Sequence, residues 1–143
     1  MRFSETTDYE SLRKFYEENG LEVSDDIERD DNAVFSLMYK IGNSLTAAAT
    51  LSFRKGVFIL DYIAVSENHR KEGLGKEALG LIKSKAKNLG AEAIYITARN
   101  PMFFKAQHFE EGSPEGIDMN EDCKGCSQFG KTCVSVPMML KLV

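Results

Sequence analysis

The first part of the chain combines a helical spacing of apolar residues with an acidic loop. Tyr9, Leu12 and Tyr16 recur at intervals of three and four residues, which is typical of one face of a helix. The sequence TDYE fits a capping box with Thr7 as the N-cap, and Gly20 supplies the stop. We therefore predict a short amphipathic helix that ends before the acidic run SDDIERDDN.

After this loop the pattern changes to that of β-strands. The runs AVFSLMYKI and SLTAAATLSFR flank a Gly-Asn pair, which is a signal for a two-residue hairpin turn. A second short turn at Lys55 and Gly56 leads into VFILDYIAV, the most apolar strand candidate in the sequence. These three runs predict consecutive antiparallel strands.

A second amphipathic helix with a strand on either side follows. Six residues mark its apolar face: Leu74, Ala78, Leu79, Ile82, Ala86 and Leu89. Gly90 closes the helix, and AEAIYITA is the next strand. A strand, a helix and a strand joined by short connections form a βαβ unit, in which the helix packs across two strands of one sheet. The fold class is therefore α/β (α+β), with a mixed and mostly antiparallel sheet.

The C-terminal part predicts a short helix, an irregular segment and a last strand. Pro101 suits the first turn of a helix over PMFFKAQHF. Residues 112–133 carry little periodicity and read as a long surface loop. The chain ends with VSVPMMLKLV, in which Pro137 predicts a strand at a sheet edge or with a bulge. We predict a single domain over residues 1–143.

Length and charge narrow the class of protein. A chain of 143 residues with 43% hydrophobic residues can bury one core. The net charge of −4 and the lack of a basic stripe argue against a nucleic-acid partner. No apolar run approaches the length needed to span a membrane, and the first twenty residues do not resemble a signal peptide. We expect a cytoplasmic protein without a membrane partner.

The stretch HRKEGLGK stands between a predicted strand and the second helix. Backbone N–H groups at a helix N-terminus are unpaired and lie at the positive end of the helix dipole. Gly73 and Gly75 leave room for a phosphate to approach these amides. Arg70, Lys71 and Lys76 add positive charge. The stretch predicts a diphosphate site, although two glycines also fit a simple tight turn into the helix.

The pattern Arg-x-x-Gly-x-Gly, after a strand ending in DYIAV and before an amphipathic helix, resembles the acetyl-CoA site of the GNAT family of N-acetyltransferases. The resemblance covers roughly residues 1–110 and the last strand. It implies a sheet with helices on both faces and a splayed βαβ acetyl-CoA site. It also implies direct transfer of an acetyl group from acetyl-CoA to a small-molecule or peptide amine in a ternary complex.

The resemblance also assigns residues to the cofactor. The backbone of Ile63, Ala64 and Val65 would pair with the pantetheine arm, as an added strand would. The amides of residues 71–76 would hold the pyrophosphate, and Asn100 matches a polar position near the pantetheine. The implied cofactor-binding residues are Ile63, Ala64, Val65, Arg70, Lys71, Glu72, Gly73, Leu74, Gly75, Lys76, Asn100 and Phe104.

The short helix departs from the family pattern at two positions. Where many members read Phe-Tyr-x-x-x-Gly-Phe, this chain reads FFKAQHF, so Phe104 replaces the tyrosine that often protonates the departing thiolate. A phenyl ring has no proton to give. His108, which replaces the glycine, is the nearest titratable candidate for the acid. A water could serve instead, or no acid at all, because a thiolate with a pKa of about 8.5 is a tolerable leaving group.

A general base is needed because the amine is an ammonium at neutral pH. Strict alternation would place five residues on one face of the third strand: Val57, Ile59, Asp61, Ile63 and Val65. Asp61 would then be a lone carboxylate in an apolar row, where desolvation raises the pKa and makes a better base. The alternative is a structural aspartate that is hydrogen-bonded to a neighbouring strand or loop.

All three cysteines lie in the stretch DCKGCSQFGKTCV. Cys123, Cys126 and Cys133 could supply three thiolates of a tetrahedral zinc site, completed by His108 or a water. A disulfide between Cys123 and Cys126 and three reduced thiols are the alternatives. In the resembled family this segment helps to form the acceptor pocket, so it is expected to contact substrate with or without metal.

Two questions about function stay open at this level. The alternative to an acetyltransferase is a non-catalytic acyl-CoA or metal/redox sensor on the same fold. The identity of the amine acceptor and the oligomeric state, including a homodimer, cannot be read from the sequence.

Overall fold

The computed structural model describes residues 3–21, 33–54, 56–98, 101–112 and 136–142. The strands are β1 (Ser4–Glu5), β2 (Ala33–Ile41), β3 (Ser44–Arg54), β4 (Val57–Val65), β5 (Ala93–Ala98), β6 (Glu110–Glu111) and β7 (Val136–Lys141). The helices are α1 (Tyr9–Glu18), α2 (Leu74–Asn88) and α3 (Pro101–Ala106), with one turn of 3₁₀ helix at Glu67–His69.

In the described part of the chain, seven strands form one sheet in the order β1-β2-β3-β4-β5-β7-β6. Every neighbouring pair is antiparallel except β4 and β5, which are parallel and are connected through α2. The predicted mixed and mostly antiparallel sheet with a βαβ unit is confirmed. The β2–β3 hairpin closes at the expected Gly-Asn turn, because Ile41 pairs with Ser44.

The N-cap of α1 lies one residue later than predicted. Asp8, not Thr7, caps the helix: its carboxylate accepts the Ser11 backbone N–H at 3.2 Å and the Ser11 hydroxyl at 2.7 Å. These hydrogen bonds from Ser11 hold the pKa of Asp8 below its usual value. A carboxylate that accepts two donors from one residue outcompetes a single hydroxyl as a cap. The predicted stop is confirmed, since Gly20 follows the helix with φ of 85°.

The two long helices cover opposite faces of the sheet. On one face α2 buries Leu74, Ala78, Leu79, Ile82 and Ala86 against a cluster that includes residues of β3, β4 and β5. On the other face Leu12, Phe15 and Tyr16 of α1 pack on Ala48. Leu89 is an exception to the predicted apolar face, because it is 45% exposed as the C-cap beyond the last turn of α2.

A β-bulge interrupts β4 at Asp61 and changes which side chains share a face. Thr50 pairs with Tyr62 while Leu51 pairs with Leu60, so Asp61 is an extra residue on its strand. Leu60, Ile63 and Val65 consequently pack in the core under α2, whereas Tyr62 and Ala64 pack with α1. The prediction of one row from Val57 to Val65 is therefore wrong, because the bulge shifts the alternation by one residue.

The last strand, β7, lies between β5 and the two-residue β6 rather than at an edge. Pro137 pairs with Thr97, and its carbonyl accepts the Gly112 N–H at 3.0 Å. Pro137 is only the second residue of the strand, where a missing N–H disturbs the ladder least. None of the helices in the described residues has the length and apolarity needed to cross a bilayer.

Candidate functional site

The parallel strands β4 and β5 touch at one end only. Their pairing is confined to Phe58 with Ile94 and Ile59 with Tyr95. Beyond these residues β4 continues with β3 as far as Val65, while β5 continues with β7 as far as Ala98. Within the described residues, the edge of β4 over 63–65 thus has no strand partner on the β5 side. An unpaired edge of this kind is a template for an extended ligand that carries amide groups.

Helix α2 begins next to the open end of this cleft, with its backbone amides uncapped. The N-cap is Gly73, which has φ of 79° and no side chain to accept a hydrogen bond. The first helical hydrogen bond runs from the Glu77 N–H to the Gly73 carbonyl at 3.0 Å. By helix geometry the N–H groups of Leu74, Gly75 and Lys76 have no acceptor within the helix. Three free donors at the positive end of a helix dipole make an anion site.

The loop between β4 and α2 is tied back to the strand. The Arg70 Nε donates to the carbonyl of Val65 at 3.1 Å. Lys71 has a left-handed backbone, with φ of 74°, which a non-glycine residue adopts at a cost. The His69 Nδ1 lies 2.8 Å from the Glu72 Oε2, so the carboxylate next to Gly73 has a partner within the loop. The sequence did not indicate that Arg70 anchors the loop as well as adding charge.

The predicted phosphate-loop residues differ in what they can offer a ligand. The side chains of Arg70, Lys71 and Lys76 are exposed, so their charges can reach an anion. Leu74 is only 2% exposed, and it can contribute its backbone amide but not its side chain. A Cβ on Gly75 would lie 3.3 Å from Cζ of Phe103, so this glycine permits a close contact with α3.

Helix α3 and the residues directly after it carry a row of three aromatic side chains. Phe104 is only 4% exposed, and its ring meets those of Phe103 at 5.0 Å and Phe109 at 5.3 Å in edge-to-face contacts. The half-buried Phe103, not Phe104, is the aromatic residue that lies against the start of α2. Sequence reasoning missed Phe103, whose only signal was its match to the first residue of the family pattern Phe-Tyr-x-x-x-Gly-Phe.

His108 closes α3 in a conformation that favours glycine. Its φ is 74°, and its N–H donates to the Lys105 carbonyl at 3.0 Å. The next residue, Phe109, donates to the Phe104 carbonyl at 2.9 Å, which completes a Schellman-type cap. This geometry gives a physical reason for the glycine that many members of the resembled family have here. The His108 side chain itself is exposed.

Asp61 is paired with a cation, so the predicted isolated carboxylate is wrong. The Arg54 Nη2 donates to the Asp61 Oδ1 in an ion pair, with the Asp61 side chain 11% exposed and the Arg54 side chain 30% exposed. The argument for a raised pKa assumed an apolar row, which the bulge and Arg54 remove. The contact fits the alternative of an aspartate bonded to a neighbouring strand, and a catalytic role for Asp61 stays a prediction.

A chain of buried hydroxyl groups lies between α1 and the sheet. The Tyr16 hydroxyl and the Thr50 Oγ1 are 2.8 Å apart, and the Ser36 Oγ lies 3.1 Å from the same Thr50 oxygen. Tyr16 also stacks on Tyr62 with 4.8 Å between ring centroids. Burial raises the pKa of Tyr16 far above its ordinary value, and the nearby Tyr62 and Asp61 raise it further. The sequence marked Tyr16 only as part of an apolar face.

Several predicted site residues lie outside the described residues. These are Asn100 and the three cysteines, Cys123, Cys126 and Cys133. Within the ranges that the structure describes, no three His, Cys, Asp or Glu side chains come together to hold a metal ion. The zinc, disulfide and free-thiol alternatives therefore all stay predictions.

Comparisons with known proteins identify relatives of this arrangement. A family model described as Acetyltransferase (GNAT) family matches residues 4–111. The ribosomal-protein-S18-alanine N-acetyltransferase from Escherichia coli superposes with a TM-score of 0.70 at 14% identity, covering 98% of this chain and 92% of its own. An aminoglycoside 6'-N-acetyltransferase complexed with coenzyme A gives 0.69 at 12% identity, covering 100% and 98%.

A third solved structure is larger than this chain. N-acetylglutamate synthase from Neisseria gonorrhoeae, complexed with coenzyme A and N-acetyl-glutamate, gives a TM-score of 0.71 at 17% identity. The match covers 99% of this chain and 35% of that one. No curated protein matches the sequence significantly. At these identities the structural similarities establish the fold, and the family assignment comes from the match over residues 4–111.

Proposed function

Because this chain belongs to the acetyltransferase (GNAT) family, we propose that it transfers an acetyl group from acetyl-CoA to an amine by direct attack in a ternary complex. The observation that carries the proposal is the divergence of β4 from β5 beside the uncapped N-terminus of α2. Relatives whose names specify N-acetylation of an alanine and of an aminoglycoside support an amine acceptor. Coenzyme A bound in two of the relatives supports acetyl-CoA as the cosubstrate.

The start of α2 fits the diphosphate of the cosubstrate. The amides of Gly73 to Lys76 supply the donors, and a side-chain cap that would compete with the ligand is absent from the described contacts of α2. Arg70, Lys71 and Lys76 add exposed positive charge around the same turn. Glu72 is an unfavourable negative charge next to Gly73, and its contact with His69 reduces its effect on a bound anion.

The open edge of β4 fits the pantetheine arm. Ile63 and Ala64 are half-buried and lie where β4 has diverged from β5. The carbonyl of Val65 already accepts from Arg70, so an arm that pairs with the strand would share this oxygen or pair before it. Asn100 is a further proposed contact with the pantetheine arm.

Two side chains are proposed to move protons. Asp61 accepts a proton from the substrate ammonium, and the neutral amine then forms a C–N bond to the acetyl carbon. The C–S bond breaks with its electron pair on the sulfur, and the nitrogen gives its remaining extra proton to water. The Arg54 guanidinium beside Asp61 holds the carboxylate in place and must tolerate its protonation. Phe104 has no proton to donate to the departing thiolate, so His108 or a water serves as the acid, or the thiolate leaves unprotonated.

A second candidate function is an acyl-CoA sensor without catalysis. The observation that favours it is the buried phenyl ring of Phe104 at the usual position of the tyrosine acid. On this alternative, acetyl-CoA binds at the same cleft but no acetyl group leaves it.

Turnover separates the two functions. Purified protein is incubated with acetyl-CoA and a panel of amines that includes polyamines, aminoglycosides, amino acids and peptides. Free thiol is measured, and acetylated product is identified by mass spectrometry. Thiol release that depends on one amine supports the enzyme. Tight binding of acetyl-CoA without release from any amine supports the sensor, and absence of binding contradicts both.

The cysteine segment carries a separate proposal. Cys123, Cys126 and Cys133 would hold one zinc ion and form part of the acceptor pocket in a single domain over residues 1–143. Zinc content of freshly purified untagged protein tests this. A stoichiometry near one supports the site, and a stoichiometry near zero removes it.

A further inference from the structure

Gly75 lies at a contact between three elements of the candidate site. A Cβ built on this residue would be 3.3 Å from Cζ of Phe103, 3.5 Å from its Cε1 and 3.8 Å from Cγ2 of Val65. Gly75 is in the first turn of α2, Phe103 is in α3 and Val65 ends β4. We call Val65, Gly75 and Phe103 the three-way contact. The missing side chain of Gly75 thus faces a phenyl ring and a strand end.

The ring of Phe103 has little freedom to move away. It packs edge-to-face on Phe104, which is 4% exposed and in turn packs on the buried Phe109. A neighbour that is backed by a close-packed core cannot give by several tenths of an ångström without strain elsewhere. A side chain at position 75 would therefore displace the first turn of α2 rather than the ring.

The first turn of α2 carries the amides that are proposed to hold the diphosphate. Hydrogen-bond donors act on an anion only when they converge on one point, and small displacements weaken all of them together. The loop is already fixed on its other side, where Arg70 donates to the Val65 carbonyl. The three-way contact supplies the second fixed point.

We propose that Phe103 is a positioning residue, which holds the first turn of α2 against the end of β4 so that its amides converge on the diphosphate of acetyl-CoA. The proposal rests on the proposed function and adds a residue that does not itself need to touch the cosubstrate. The proposal also gives Gly75 a second role. Besides leaving room for a phosphate, its lack of a side chain allows Phe103 of α3 to approach the first turn of α2.

The test compares three variants with wild type, using coenzyme A as the probe and calorimetry to measure the dissociation constant. Gly75→Ala is expected to weaken binding about tenfold, and Phe103→Leu about threefold. The double variant is expected to stay near threefold, because the shorter side chain removes the atoms that the new methyl group would meet. Losses that multiply to about thirtyfold would overturn the proposal, since the two residues would then act independently.

Two controls separate positioning from general destabilisation. Gly80→Ala adds the same methyl group to the same helix, at a position where no atom of the described residues lies within 4 Å of the new methyl group. Coenzyme A affinity should not change in this variant. Ile82→Val weakens the core under α2 and should lower the melting temperature without changing affinity. If Ile82→Val weakens affinity as much as Gly75→Ala does, the contact is merely structural and the proposal fails.

The failure of the proposal is distinct from failure of the proposed function. If wild type does not bind coenzyme A, the proposed function is wrong and the inference falls with it. If wild type binds and Gly75→Ala binds equally well, only the inference is overturned. Should Gly75→Ala not fold, Phe103→Leu decides, because unchanged affinity in that variant contradicts a positioning role.

Discussion

Asp61 illustrates how one residue changes the chemistry available at a site. As the extra residue of a bulge it leaves the apolar row in which alternation would place it, and it meets Arg54 instead. Bulges re-aim side chains and are frequent next to active sites. The aspartate therefore has a fixed position and a cationic partner. Both features are compatible with a proton acceptor that must stay in place, and equally with a purely structural role.

The two roles of Asp61 differ in their pH dependence. If Asp61 is the base, Asp61→Asn should lower kcat by about a hundredfold or more and flatten the acid limb of the rate profile. The measurement is the initial rate of thiol release against pH with the amine identified from the panel. Arg54→Met is the comparison variant. Unchanged kinetics in Asp61→Asn would dismiss the base.

His108 holds a backbone conformation that costs a non-glycine residue free energy. Replacing it with glycine should raise the free energy of unfolding by about 1 kcal/mol, measured by urea denaturation. Gln107→Gly is the matched control, since its φ is not positive and glycine there should destabilise. A His108→Gly protein that is more stable and fully active would exclude His108 as the acid. A less stable His108→Gly protein would contradict the claim that the positive φ of His108 costs free energy.

At the scale of elements, strand and helix limits follow the sequence pattern closely. The runs predicted for β3 and β4 coincide with Ser44–Arg54 and Val57–Val65, because turn residues bound both runs, and β4 in addition consists mostly of β-branched or aromatic residues. The bulge could not be predicted, since β4 is apolar at nearly every position and has no polar-apolar alternation in which a shift of one residue would show. The contact of Phe103 with Gly75 was equally hidden, because it joins residues far apart in sequence.

The loop before α2 offers a test of charge against geometry. Arg70→Ala should weaken coenzyme A binding about tenfold, because it removes a cation and the anchor on the Val65 carbonyl. Arg70→Lys keeps the charge but loses the guanidinium geometry, so an intermediate loss is expected. Lys83→Ala, further along α2, controls for net charge. If Arg70→Ala and Lys83→Ala weaken coenzyme A binding equally, Arg70 contributes only through long-range electrostatics and not through its contact with Val65.

Helix α1 is held to the sheet by a buried tyrosine whose pKa is raised by burial. A tyrosine that ionises less readily when folded contributes stability that is fully present below its unfolded pKa of about 10 and is lost as the pH rises above it. We expect the free energy of unfolding to fall steeply above pH of about 10. Tyr16→Phe should lower the free energy of unfolding at neutral pH by about 1 kcal/mol. In this variant the free energy of unfolding should also fall less steeply with pH in the alkaline range, which we call the alkaline slope.

The control for this prediction is Tyr9→Phe, which changes a half-buried tyrosine on the same helix. Chemical denaturation at neutral and alkaline pH measures both variants. The same alkaline slope in wild type and Tyr16→Phe would contradict the assignment of that slope to Tyr16.

At the scale of the whole molecule, the sheet opens where the chemistry is proposed. One helix packs on each face, the strands diverge after two paired positions, and the positive end of α2 lies at the opening. The order of elements and the glycine pattern were enough to predict this architecture and its family. The acceptor was not predictable, because the segment that we propose as part of its pocket, residues 112–133, carries little periodicity.

The central claim is that acetyl-CoA binds along the open edge of β4 and at the start of α2. Hydrogen exchange of the backbone amides, with and without acetyl-CoA, tests it most directly. We expect slower exchange at residues 73–76 and 63–65, with the last turn of α2 unchanged. Saturating acetyl-CoA that protects neither segment, or protects only residues elsewhere, would contradict it.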